Sequence, residues 1–137
     1  MKSTAGLFFL LTLSSIALTQ EPIATTDTSK IYDIVEQDAE FPGGFEVLNK
    51  FIRENINLNE VLEFSDKEMN NRVFVQFVVN KEGLIEDIKI MKATTYCPPC
   101  NKEAIRLVAS MPRWKPGMVN GKAVSMYLTL PLIFAIQ

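Results

Sequence analysis

No histidine occurs anywhere in the 137 residues. The commonest general base and the commonest transition-metal ligand are therefore both missing. Only two cysteines are present, so a zinc site of about four ligands would need carboxylates or a second chain. Positive charge is not in excess: 14 Lys and Arg stand against 16 Asp and Glu, a net charge of −2. That balance gives no footprint for nucleic acid. No Ser–base pair, phosphate loop or oxyanion signature is present. The carboxylates that could pair, Glu63, Asp66 and Glu68 or Glu86 and Asp87, sit among lysines on expected solvent faces. The sequence offers no catalytic residue, no cofactor site and no metal site, and it shows no internal repeat or heptad run.

What is present suits one domain. Hydrophobic residues make up 47% and charged residues 22% of the chain, and single domains commonly hold about 100–150 residues. At the N-terminus, Lys2 precedes an uncharged stretch at residues 5–18 (AGLFFLLTLSSIAL). Its 14 residues match the roughly 7–15 of a signal-peptide core and fall short of the roughly 20 of a membrane span. Ala17 and Thr19 stand at a cleavage spacing before Gln20. Residues 1–19 are thus expected to be a signal peptide, with an uncleaved inner-membrane anchor as the alternative. Residues 20–39 are polar and Thr-rich and read as a linker, with a short extended piece at 31–35; the domain spans 40–137.

Within that domain, Phe41, Pro42, Gly43 and Gly44 form a turn. A helix follows, with Phe45, Leu48, Phe51 and Ile52 as its apolar face. Ser65 and Glu68 have capping-box spacing for one or two short helical turns over 60–71. Residues 72–79 are the clearest strand, with Val73, Val75, Phe77 and Val79 on one face. A loop ending at Gly83 leads into a return strand over 84–92, with Leu84, Ile88 and Ile90 on one side and Asp87 and Lys89 on the other. Residues 101–111 are an amphipathic helix ended by Pro112. Trp114, Lys115, Pro116 and Gly117 read as a turn, and Asn120-Gly121 as another. The chain closes on a long alternating strand over 123–136. The expected fold is α+β: a three-stranded antiparallel sheet with two main helices on one face.

Two features carry chemistry. Cys97 and Cys100 bracket two prolines just before a helix. Outside the cytosol they read as a local disulfide; thiol–disulfide redox chemistry, favoured by the positive end of the helix dipole, is the other reading. The second feature is the last strand. Pro131 cannot donate to a ladder and belongs on an edge, and no charged residue occurs from Ala123 to the end of the chain. Such an edge admits an added strand from a partner, or is covered by its own linker, by a helix or by a second copy in a homodimer.

Taken together, Glu40-Phe41-Pro42-Gly43-Gly44, alternating Val73, Val75, Phe77 and Val79 with Gly83, Glu103-Ala104-Ile105-Arg106, Met111-Pro112 with Trp114 and Pro116-Gly117, Asn120-Gly121-Lys122, and Leu130-Pro131 with Phe134 resemble the C-terminal domain of TonB proteins. These are energy transducers of the bacterial envelope, and the similarity is closest to the Bacteroidetes-type form. The resemblance spans about 38–136. It departs at Glu60 and Val61, where the family usually has Tyr-Pro. It implies a periplasmic domain without enzymatic activity that binds the TonB box of outer-membrane receptors importing siderophores, vitamin B12 or glycans. The receptor segment would add as a strand along Val124, Ser125, Met126, Tyr127, Leu128, Thr129 and Leu130.

Overall fold

Seven elements follow in chain order: β1 (Ile31–Tyr32), α1 (Phe45–Asn55), β2 (Asn71–Val79), β3 (Ile85–Lys92), α2 (Pro98–Ala109), β4 (Gly117–Val119) and β5 (Lys122–Phe134). The structure, a computed structural model, describes residues 25–61, 71–92 and 97–134. The expected signal segment 1–19, the start of the linker, the turns around Ser65 and Glu68, residues 93–96 and residues 135–137 lie outside them.

β2 forms from a run of β-branched and aromatic residues, and Val73, Val75, Phe77 and Val79 are all fully buried. β5 pairs with β2 antiparallel from Asn71↔Phe134 to Val79↔Met126, and β3 pairs with its other edge. These are the three antiparallel strands that the sequence predicts. The sheet differs in having two more: its order is β1-β5-β2-β3, with β4 also on β5. β1 runs parallel to β5, so the sheet is mixed. β4 escapes sequence reading because its three residues start at the glycine of a Pro-Gly pair that looks like a turn. The α+β class stands. Leu48 of α1 and Cys100, Ala104, Leu107 and Val108 of α2 share one core cluster with the inward face of β2.

Local differences have local causes. Phe45 is 72% exposed; the aromatic place against α1 goes to Phe41, whose ring lies 5.5 Å from Phe51 and 5.5 Å from Trp114. α2 begins at Pro98 rather than Asn101, because prolines at the first helical positions lose only N–H groups that have no helical acceptor. In β3, Asp87 takes a positive φ of 48° and the register shifts beside it. This bulge makes Ile85 and Ile88, three residues apart, both face the core, whereas Leu84 is exposed. Trp114 to Pro116 is extended and not a turn. Lys115 donates to Glu40 O at 2.8 Å and accepts from Glu40 N at 2.9 Å, in keeping with the extended backbone that a following proline imposes. Asn120 and Gly121, at φ 50° and 72°, do form the expected turn.

Nor is the expected linker free of the domain. Gln37 bridges Met118, Ala39 is buried, and Trp114 behind it is 6% exposed. The Trp114 ring meets Phe41 and Phe77 edge-on, the latter at 5.6 Å. Its backbone N–H donates to Gly83 O at 2.9 Å. Gly83 sits at φ +85°, and a Cβ there would fall 2.0 Å from Trp114 O. The hairpin loop and the Trp114 segment therefore touch backbone to backbone.

Gly83→Ala is expected to cost well over 2 kcal/mol, since strain at φ > 0 alone costs about 1–2 kcal/mol and the clash adds to it. Gly121→Ala, with nothing within 4 Å of the added Cβ, is expected to show the strain alone. Trp114→Ala should lose about 3–5 kcal/mol. Urea unfolding of the three variants checks all these values.

Candidate functional site

β5 has thirteen residues and alternates strictly. Val124, Met126, Leu132 and Phe134 are buried, and Leu128 and Leu130 pack against the same core. Ser125 and Tyr127 are half-buried on the other face, where Thr129, Pro131 and Ile133 are exposed. The inward side chains are thus committed to the core, and a partner strand would use the backbone of one of the strand's two edges.

One edge is filled by β2 along 126–134. On the other, β1 covers only Ser125 and Met126; β4 pairs with Lys122, Ala123 and Val124, ahead of that stretch. Met126 is paired by both β1 and β2, which places these two strands on opposite edges. From Tyr127 to Phe134 the outer edge has no strand partner among the described residues. That stretch would span about 25 Å at roughly 3.3 Å per residue. Of the expected contact residues, Tyr127, Leu128, Thr129 and Leu130 lie on this open stretch. Val124, Ser125 and Met126 are already paired within the chain, while the opening continues past Leu130 to Leu132, Ile133 and Phe134. The extension was unreadable from sequence because Pro131 suggested an end to pairing; instead Pro131 is held within the ladder opposite Phe74.

The opposite margin of the sheet is β3, and it is guarded. It carries Glu86, Asp87, Lys89 and Lys92 and a bulge at Asp87. Charges and bulges of this kind block edge-to-edge pairing. The open stretch of β5, residues 127–134, has no charge and only Pro131 as a guard.

Cys97 and Cys100 are joined by a disulfide, with Cα atoms 5.2 Å apart, at the start of α2. Both residues are fully buried in the core, so neither sulfur is open to the in-line thiolate attack that exchange requires. The structural motif residues gather elsewhere: Phe41 and Trp114 in the aromatic cluster, Pro42, Gly43 and Gly44 leading into α1, and Pro116 and Gly117 entering β4.

A pocket of about 170 Å³ lies beside α2, lined by Asn57, Glu60, Val61, Lys102, Glu103 and Arg106 among others. Sequence reasoning did not single out Glu103 as buried. Burial works to raise its pKa, but the hydrogen bonds from Arg106 and from the Asn57 N–H, with the Arg106 charge, outweigh it and hold the carboxyl below its usual value. Arg106 Nε donates to Glu103 at 2.8 Å, and a second guanidinium nitrogen donates to Asn55 O at 2.7 Å. The group is an internal clamp between α2 and the end of α1. Among the described residues no cluster of His, Cys, Asp or Glu could hold a metal ion, and no helix is long and apolar enough to cross a membrane.

A carboxyl whose pKa is lowered by folding stabilises the fold above its unfolded pKa, and this contribution is lost as pH falls through the folded value. Glu103→Gln is therefore expected to cost about 1–2 kcal/mol near neutral pH, moderated because Arg106 is half exposed. The gap between variant and wild type should close as the pH falls below the ordinary glutamate value of 4.5. Urea unfolding at several pH values measures it.

No curated protein matches the chain. A family model described as the C-terminal part of the Gram-negative bacterial TonB protein matches residues 65–136. The match covers more than half of the chain and takes in β2, β3, α2, β4 and β5, and with them the whole open edge. α1 and the Phe41 turn lie outside it. The family is a non-enzymatic one of the bacterial envelope, with a role in energy-dependent, receptor-mediated transport. With its α+β fold and its matched second half, the chain belongs to the TonB C-terminal family.

Proposed function

We propose that the domain binds an extended segment of an outer-membrane receptor, the TonB box, as an added strand along residues 127–134 of β5. The observation that carries this reading is the uncharged outer edge, unpaired beyond Met126 among the described residues, in a molecule whose other sheet margin is charged and bulged. Main-chain hydrogen bonds would supply the affinity and alternate side-chain contacts the specificity. The domain works in the periplasm, reached through the signal segment 1–19; mass spectrometry of the mature protein is expected to find an N-terminus near Gln20, and a retained Met1 would favour the anchored form. The buried disulfide fits the oxidising compartment.

Titration of the isotope-labelled protein with a TonB-box peptide, followed by NMR, is expected to shift the backbone amides of 127–134 and to leave those of β3 in place. A peptide methylated on alternate backbone nitrogens keeps its side chains but loses its ladder donors. It should bind at least about tenfold more weakly, each lost 1.4 kcal/mol being a factor of ten. Equal affinity of the two peptides, or shifts confined to the pocket beside α2, would overturn strand addition.

A further inference from the structure

The outer edge of β5 is occupied at one end by the chain itself. Ile31 and Tyr32 pair with Ser125 and Met126, and the segment that carries them is fastened at two different strengths. Residues 36–40 are tied to 115–118 by backbone bonds from Glu36, Gln37 and Glu40, returned by Met118 and Lys115, all between 2.8 and 3.1 Å. Ala39 and Phe41 beside them are buried. Residues 25–34 are held far less. Beyond the two paired residues, Thr26 Oγ1 donates to Val119 O at 3.4 Å and accepts from Asn120 Nδ2 at 3.1 Å. Tyr32 is half-buried, whereas Ile31 lies at the surface and Ile34 is 87% exposed.

The Tyr32 ring also packs against the core, and the remaining contacts of this segment are internal to it. Asp27 accepts from the backbone and hydroxyl of Ser29, the Tyr32 hydroxyl donates to Asp27 O at 3.0 Å, and the Lys30 ammonium lies 4.4 Å from the Tyr32 ring centre. These would travel with the segment if it left the sheet. A bend at 33–34 separates it from the firmly held part.

We infer that residues 25–32 form a displaceable strap, hinged at 33–35, that competes with an incoming partner strand for the edge of β5. This rests on the strand-addition reading. A partner strand aligned on 127–134 either stops at Tyr127 or takes over the backbone groups of Ser125 and Met126 that β1 now uses. In the second case the strap sets the affinity, because the apparent dissociation constant rises as the open fraction falls.

The test uses the full chain and the same TonB-box peptide. Tyr32→Ser removes the ring that seats the strap; Tyr32→Phe keeps the ring and loses only a bond internal to the segment. Tyr32→Ser is expected to bind roughly tenfold more tightly, the gain for a strap closed about nine-tenths of the time, and Ser125 and Met126 should join the shifted amides. Tyr32→Phe should match wild type, and Thr26→Val, far from the core, should show a smaller gain. Unchanged hydrogen-exchange protection along β2 shows that the variants are folded. Wild-type or weaker binding by folded Tyr32→Ser and Thr26→Val overturns the strap while leaving strand addition intact. Absence of binding in every form overturns both.

Discussion

The fold depends on the junction at Trp114. Its indole lies between Phe41 and Phe77, the Trp114 backbone N–H donates to Gly83 O in the hairpin, and the next residue exchanges two bonds with Glu40. Segments far apart in the chain, the entry to α1, the β2–β3 loop and the approach to β5, thereby meet at one place. Edge-on ring contacts add to area burial, while the indole N–H finds no acceptor among the described residues. The Glu103–Arg106 clamp does the same on a smaller scale, joining the two helices at the other side of the core.

Much of this was legible in the sequence because it depends on periodicity. The alternation of β2 and β5, the inward face of α2, the Asn120-Gly121 turn and the α+β class all follow from spacing that a single element reveals. What sequence reading missed depends on contacts between elements. Phe45 looks like part of a helix face, but Phe41 takes the aromatic position against Phe51. Leu84 looks inward until the Asp87 bulge shifts the register. The 31–40 stretch has the composition of a linker, and only its pairing with Met118 and Lys115 shows that much of it is docked.

The candidate site was legible to a similar degree. An uncharged final strand at the sheet edge could be read from residues 123–136, and the TonB resemblance supplied a class of partner. The position of the opening could not be read. It depends on where β1 stops, and β1 is too short to leave a pattern. The result moves the accessible backbone toward the C-terminal half of β5, past Met126.

The placement of β5 has a mechanical consequence. One of its edges is bound to β2 through nine residue pairs, and its inward side chains are fixed in the core. A strand laid along its other edge would lie nearly along the axis of β5. Pulled along that axis, the rungs between partner and β5 would be sheared together, not opened one after another. The partner's ladder would have no core behind it, so it would give way before β5 was drawn out of the sheet. Such a coupling would hold up to a limit and then let go, leaving the domain folded.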